Sequence, residues 1–143
     1  MINKNTGEIE ISEVKVGPKF RKRNFIESSL YAQVIHEESI TYSRYVLKPQ
    51  KIDNEIFAVV LYFKQEEQLE FVSLSILPDQ KMPSWENWSK EEQLQKKRAN
   101  DKWLEKQLGP PPYKYGWGEL SSLYDPRSAT STITIRYLLS TEE

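Results

Sequence analysis

The middle of the chain constrains the fold most, because it contains three short runs that are typical of β-strands. Residues 55–64 are β-branched and aromatic almost throughout, and residues 69–77 repeat apolar side chains at short, strand-like intervals. Residues 40–47 form a third run, which ends at Lys48 and Pro49. Such runs indicate strands with a buried face, and the polar links between them suit turns. Three adjacent strands with short links predict an antiparallel meander.

One long helix is predicted after this region, at about residues 89–108. Ser89 and Glu92 have the Ser-x-x-Glu spacing of a capping box, in which each side chain satisfies a free backbone donor of the first turn. Gly109 suits the C-terminal cap, and the three prolines at 110–112 cannot continue a helix. These signals predict both ends of the helix.

The rest of the chain indicates shorter elements. Residues 6–16 alternate as one or two short strands, and the mixed pattern that follows favours a short helix around residues 22–33. Near the end of the chain, residues 115–124 and 130–139 predict a hairpin. We therefore expect an α+β fold in a single domain, residues 1–143, in which a mostly antiparallel sheet of about six strands packs the long helix on one face.

No residue pattern for catalysis or metal binding occurs in the sequence. The chain has no cysteine and one histidine, His36, so neither a thiolate nucleophile nor a zinc site is expected. The five glycines are scattered and form no phosphate-binding loop. We therefore expect no catalytic residue, no metal and no cofactor. One enzyme class stays open, which acts on a polar or sugar substrate with paired carboxylates, and its candidates are Asp101, Glu119 and Asp125.

The charge balance argues against nucleic acid as a partner. Lys and Arg total 20 and Asp and Glu total 21, whereas proteins that hold phosphate backbones carry a basic excess. The densest basic run, Lys19 with residues 21–23, is typical of a solvated loop or a helix start. The longest apolar run is too short to cross a bilayer, and the first residues lack the apolar stretch of a signal peptide. Without cysteine for disulfides, we expect a cytoplasmic protein that binds neither nucleic acid nor membrane.

Asp101 falls on the predicted apolar face of the long helix, in a stripe with Leu94, Leu104 and Leu108. A carboxylate that faces the sheet must be hydrogen-bonded or paired, because burying an unpaired charge is costly. Arg136 on the last strand and nearby tyrosine hydroxyls are candidate partners. We expect Asp101 and Arg136 to form a structural tie from helix to hairpin, and a catalytic or partner-facing acid is the alternative.

Tryptophan and tyrosine are concentrated between positions 85 and 124. These side chains are favoured at protein interfaces because they bury a large area and also carry a polar group that can form a hydrogen bond. Some should complete the core, with Trp103 and Trp117 packed across the contact between helix and hairpin. We expect one or two of Trp85, Trp88 and Tyr113 to be exposed. The candidates for contacting a partner are Trp85, Trp88, Tyr113, Tyr115, Trp117 and Glu119.

Three segments in the second half of the chain have distinctive sequences, at residues 85–92, 101–104 and 111–128. The most distinctive is Tyr113-Lys114-Tyr115-Gly116-Trp117-Gly118-Glu119. Over residues 85–137 the chain resembles small bacterial proteins of the immunity-protein-like kind, whose genes lie beside polymorphic toxins. The resemblance implies a binding protein that neutralises a cognate toxin by direct contact. Two alternatives stay open: a small carboxylate-based enzyme, and an accessory or phage-encoded interaction protein without a toxin partner.

Overall fold

The computed structural model describes residues 2–39, 41–64, 67–77, 89–126 and 130–138. These residues form ten strands, two α-helices and one 3-10 helix. The strands are β1 (Ile9–Ile11), β2 (Val14–Val16), β3 (Val34–Ser39), β4 (Ser43–Leu47), β5 (Gln50–Ile52), β6 (Glu55–Phe63), β7 (Leu69–Ile76), β8 (Tyr113–Tyr115), β9 (Gly118–Asp125) and β10 (Thr130–Tyr137). The helices are α1 (Lys22–Glu27), the 3-10 helix (Ser29–Gln33) and α2 (Lys90–Leu108). The expected α+β class is confirmed, and the number of strands exceeds the six that were predicted.

Eight of these strands form one antiparallel sheet in the order β3-β4-β6-β7-β10-β9-β8, and β5 pairs with β6 beside β4. The predicted meander is therefore confirmed, since β4, β6 and β7 are neighbours in the sheet. β1 and β2 form a separate hairpin. Asp53 and Asn54 make the turn from β5 to β6 with φ angles of 48° and 71°. Two-residue hairpin turns need this left-handed backbone, which Asp and Asn tolerate.

One face of the large sheet carries the hydrophobic core. Its central strands contribute Phe57, Val59, Leu61, Phe63, Leu69, Val72, Leu74, Ile133, Ile135 and Tyr137. Phe25 of α1, Leu30 of the 3-10 helix and the β1–β2 hairpin pack onto this face. The ring of Phe25 lies 4.9 Å from that of Tyr45 and 5.7 Å from that of Phe63, measured between centroids. The short elements before β3 therefore close the core on one side.

α2 crosses the sheet at the end of β7 and the beginning of β10. The Ser89 hydroxyl caps it by accepting a hydrogen bond from the Glu92 N–H at 3.1 Å, and Gly109 ends it with a φ of 84°. Both predicted helix ends are confirmed. Trp103 joins the core, where its ring centroid lies 4.9 Å from that of Phe57. No helix among the described residues combines the length and the apolar character that crossing a membrane requires.

Two buried amide side chains of α2 bond the ends of β7 and β10. Asn100 Oδ1 accepts from the Ile76 N–H at 3.2 Å, and Asn100 Nδ2 donates to the Ser131 carbonyl at 3.5 Å. Gln93 Oε1 accepts from the Ser131 N–H at 3.1 Å, and the Ser131 hydroxyl donates to the Gln93 carbonyl at 2.5 Å. The pairing of β7 with β10 stops short of Ile76 and Ser131, so the amides satisfy backbone groups that the strands leave unpaired. We call these four residues the amide clasp.

Asn100→Ala should lower the free energy of unfolding by about 1–3 kcal/mol, because the buried Ile76 N–H loses its acceptor. Gln95→Ala is the matched control, since Gln95 is exposed on the same helix. The control should stay within about 0.5 kcal/mol of the parent. Denaturant unfolding measures both values, and equal stability of the two variants would mean that the clasp contributes nothing.

Two aromatic side chains hold the N-terminal segment against the last strands. Trp117 Nε1 donates to the Lys4 carbonyl at 2.8 Å, and the Tyr137 hydroxyl donates to the Gly7 carbonyl at 2.8 Å. Burial, followed by the charge of Glu8, raises the pKa of the Tyr137 hydroxyl. Gly7 has a φ of 80° and lies under the Trp117 ring. A Cβ atom at this position would overlap with the ring, so the contact requires glycine.

Gly7→Ala should therefore lower the free energy of unfolding by about 2–4 kcal/mol, from backbone strain and from overlap with Trp117. Gly116→Ala is the control, because a Cβ atom there would meet no atom within 4 Å. We expect the control to change stability by less than about 0.5 kcal/mol. Thermal unfolding followed by tryptophan fluorescence measures both, and a tolerated Gly7→Ala would contradict close packing of Gly7 under the Trp117 ring.

The strands that were not predicted are exposed or very short. β3 lies at one edge of the sheet with nearly all of its side chains exposed, and β5 and β8 have three residues each. The strand predicted at residues 115–124 begins instead at Gly118, because Gly116 and Trp117 form the turn after β8. The helix predicted around residues 22–33 is α1 followed by the 3-10 helix, with Ser28 as the break.

Candidate partner-binding surface

The sheet has a second face, formed by the side chains that alternate with those of the core. α2 borders this face only at one end, and a shallow cavity of about 540 Å³ lies on the face. We call this surface the open face. The cavity is lined by Arg44, Val46, Ala58, Val60, Tyr62, Phe71, Ser73, Ser75, Gln93, Lys96, Asp125, Thr130, Thr132 and Thr134. Nearly all of these side chains are partly exposed, so they are available to a partner.

Four side chains cross the centre of the open face in direct cross-strand register: Arg44, Tyr62, Phe71 and Arg136. The rings of Tyr62 and Phe71 stack with centroids 4.0 Å apart and an interplanar angle of 25°. The guanidinium of Arg44 lies 5.8 Å from the Tyr62 centroid, and that of Arg136 lies 4.9 Å from the Phe71 centroid. Both distances allow cation–π attraction. We call these four residues the aromatic row.

A β-bulge at Glu70 places Phe71 on the open face. Leu69 pairs with Phe63, and Phe71 pairs with the adjacent Tyr62, so Glu70 is the extra residue of β7. In a regular strand, Leu69 and Phe71 would point to the same face. Leu69 is instead buried in the core, while Phe71 stacks on the opposite side. The bulge therefore completes the aromatic row.

Ion pairs hold both arginines of the row. Arg136 Nη1 lies 3.7 Å from the Glu70 carboxylate, and Arg44 Nη1 lies 3.6 Å from that of Glu38. Arg44 Nε also donates to the Tyr62 hydroxyl at 3.2 Å. These charged side chains are 27–52 % exposed, so the pairs add little stability. Their main effect is to restrict the positions of the guanidinium groups.

Small hydroxyl side chains flank the aromatic row. Ser73 of β7 pairs with Thr134 of β10, which pairs with Ser121 of β9. The Ser75 hydroxyl donates to the carbonyl of Ser131 at 2.7 Å. Because these side chains are short, the surface is low between the row and the start of α2, where the cavity lies. The open face thus combines an aromatic centre, two cations and hydrogen-bonding groups.

Two of the candidate carboxylates, Glu119 and Asp125, lie far apart on one strand. His36 is exposed on β3, at one edge of the sheet. Glu119 and Asp125 lie six residues apart on β9, or roughly 20 Å, whereas glycosidase carboxylates lie about 5–10 Å apart. His, Asp and Glu side chains within the described ranges form no group of three that could hold a metal ion.

Asp101 and Arg136 do not form the expected tie. Asp101 is half exposed and accepts a hydrogen bond from Lys97 Nζ at 2.9 Å, one turn earlier in α2. Arg136 lies on the open face, where Glu70 is its ionic neighbour. The buried residues of α2 are Gln93, Lys96, Asn100, Trp103 and Leu104. The buried stripe therefore passes through Asn100, and the adjacent Asp101 lies at its border.

Asp101→Leu should change the free energy of unfolding by less than about 0.5 kcal/mol, because it removes one exposed i,i+4 ion pair. A buried tie would instead cost about 1–3 kcal/mol. Urea unfolding of the variant beside Lys97→Ala distinguishes the two cases. A loss above about 1 kcal/mol in Asp101→Leu alone would contradict the exposed pair.

Three of the aromatic partner candidates lie at the β8 edge of the sheet. Tyr113 is buried rather than exposed, and its hydroxyl donates to the Gly109 carbonyl at 3.0 Å. Burial, followed by the charges of nearby acidic residues, raises the pKa of Tyr113. Tyr115 and Trp117 are partly buried and stack with centroids 5.2 Å apart and an angle of 10°. All three therefore have packing partners within the chain.

The remaining candidates for contacting a partner are Glu119, Trp85 and Trp88. Glu119 is exposed on β9 and is the cross-strand neighbour of Arg136, which places it at one end of the aromatic row. Trp85 and Trp88 lie outside the described residues. Thus the structure brings Glu119 and Arg136 together on the open face, and Lys114 of β8 is the other cross-strand neighbour of Glu119.

The sequence does not identify Arg44, Tyr62 and Phe71 as a group, because they come from three different strands. The pattern of residues 55–63 contains part of this information. Alternate side chains of this run enter the core, and Tyr62 belongs to the set that points to the opposite face. Pairing that set with Arg44 requires the register of β4 with β6, which the sequence does not supply. The position of Phe71 also requires the bulge.

Comparisons with protein-family models, with curated proteins and with solved structures give no match for this chain. The chemistry and geometry of the open face are therefore the basis for a functional proposal.

Proposed function

We propose that this protein is a non-enzymatic binding protein that contacts a partner protein through its open face, and that the partner is a bacterial toxin which it neutralises in the cytoplasm. The observation that carries the proposal is the aromatic row, in which two stacked rings lie between two arginines across four strands. The resemblance of residues 85–137 to immunity-protein-like chains supports a toxin as the partner.

The aromatic row has the composition of an interface centre. Arginine and aromatic side chains are enriched at protein interfaces and dominate their binding energy. Stacking and ion pairs restrict these side chains before a partner arrives. Because less conformational entropy is then lost on association, more of the contact energy contributes to affinity.

The charges of the aromatic row indicate the kind of partner surface that would be complementary to it. The stacked rings of Tyr62 and Phe71 favour an apolar group, and the two flanking arginines favour carboxylates. Arg136 has 52 % of its side chain exposed, and its 3.7 Å contact with Glu70 is longer than a direct hydrogen bond. The Arg136 guanidinium therefore keeps N–H groups that can donate hydrogen bonds to a partner. A toxin surface with an apolar centre between acidic side chains fits this arrangement.

Calorimetry with the toxin encoded beside this protein tests the proposal, and we expect a one-to-one complex together with growth rescue on co-expression. Arg136→Glu should weaken binding by about 2 kcal/mol or more, roughly thirtyfold, because it repels an acidic partner surface. Tyr62→Ala should weaken it comparably by removing one of the stacked rings. Arg98→Glu is the control, as it reverses the same charge at an exposed position of α2, and it should bind like the parent.

Two results would contradict separate parts of the proposal. If the neighbouring toxin forms no complex and is not neutralised, the immunity role is wrong. If Arg136→Glu and Tyr62→Ala bind as tightly as Arg98→Glu, the open face is not the contact surface. Thermal unfolding of each variant distinguishes lost contacts from lost folding.

A further inference from the structure

The densest basic run of the sequence, residues 19–23, contributes to a pocket that lies away from the core. Lys22 and Arg23 form the first turn of α1 and line a surface pocket of about 500 Å³. The Lys22 N–H donates to the Glu67 carbonyl at 2.9 Å, and the Arg23 N–H donates to Glu67 Oε1 at 3.1 Å. These bonds dock α1 on the link between β6 and β7, where Lys64 lines the same pocket. Cations from two distant segments therefore meet, and we call this site the basic pocket.

Hydroxyl groups complete the basic pocket from a third segment. Ser39, Thr41 and Tyr42, at the link between β3 and β4, also line it. Its volume lies in the range of small-ligand sites. Ammonium, guanidinium and hydroxyl groups all donate hydrogen bonds, so the lining is matched to a ligand rich in acceptor oxygens.

Within the part of the chain that the structure describes, the charges of the basic pocket are not neutralised by its own lining. The described lining residues include three cations and one carboxylate, Glu67, which leaves a net charge of +2. Lys22 and Arg23 form no ion pair with any carboxylate of the described residues, and Lys64 lies 3.7 Å from Glu70. An anion with more than one negative charge would balance this excess.

The rim of the basic pocket is apolar. Ile26 and Tyr42 line it and are 43 % and 48 % exposed, which makes them two of the more exposed large apolar side chains of the described chain. The Tyr42 ring lies 6.0 Å from that of Tyr62, measured between centroids, so it has support on one side and is open on the other. A flat aromatic ring can pack on such a rim while its anionic group enters the pocket.

We propose that the basic pocket binds a phosphate monoester carried on an aromatic ring. The phosphate supplies nearly two negative charges and three acceptor oxygens, which suit a guanidinium fork and two ammonium groups. The ring contacts Tyr42 and Ile26. A free aryl phosphate and a phosphotyrosine side chain share this chemistry. The site lies beside the open face but does not depend on the proposed toxin partner.

Two-dimensional NMR titration of the full chain tests this proposal with phenyl phosphate, inorganic phosphate, phenol and a phosphotyrosine peptide. Phenyl phosphate should shift the resonances of the pocket in a saturable manner and bind more tightly than inorganic phosphate, and phenol should cause no comparable shift. Arg23→Ala and Lys64→Ala should each weaken the binding of phenyl phosphate roughly tenfold, because each removes a charged hydrogen bond. A peptide that binds much more tightly than phenyl phosphate identifies a protein source, and equal affinities identify a free ligand.

Matched variants separate a built site from general charge attraction. Lys51→Ala removes an exposed lysine of β5 that does not line the pocket, and it should leave binding unchanged. Glu67→Gln keeps an acceptor for the Arg23 N–H but removes the negative charge, so it should tighten binding severalfold. The absence of saturable phenyl phosphate binding, or equal weakening by Lys51→Ala and Arg23→Ala, would overturn the proposal.

Discussion

The amide clasp determines where α2 can lie, and the arrangement of both sheet faces follows from it. Backbone groups that are buried must be hydrogen-bonded, and the strands β7 and β10 leave such groups unpaired at Ile76 and Ser131. Asn100 and Gln93 of α2 satisfy them and are almost completely buried. The helix is thereby fixed across the strand ends, with Trp103 directed into the core. One face of the sheet is filled, and the other stays open along most of its width.

Alternation along the strands then divides the side chains between the core and the open face. Apolar residues on one set of positions form the core, while the other set carries hydroxyls, arginines and two stacked rings. The bulge at Glu70 changes this division at one place and adds Phe71 to the exposed set. Its carboxylate also lies near Arg136 and Lys64. A single inserted residue thus links the aromatic row to the border of the basic pocket.

The sequence predicts the elements better than it predicts the site. Ser89 and Gly109 mark the ends of α2 correctly, and the runs at residues 55–64 and 69–77 correctly predict β6 and β7, because these signals are local. The prediction for the buried face of α2 is correct at Leu104 but wrong at Leu94, which is exposed, and at Asp101, which lies at the border of the stripe. Apolar periodicity cannot show that an amide such as Asn100 is buried to bond distant strands. The aromatic row requires the register of four strands and a bulge, and neither is encoded in a local pattern.

Hydroxyl-radical footprinting of a complex with the proposed toxin partner tests most directly whether the open face is the contact surface. Tyr62 and Phe71 should lose reactivity when the toxin binds, because both would be covered. Tyr31 is exposed beside Phe25 on the core side of the sheet, and its reactivity should not change. Unchanged reactivity of Tyr62 and Phe71, with protection of Tyr115 and Trp117 instead, would place the partner at the β8 edge and contradict the account.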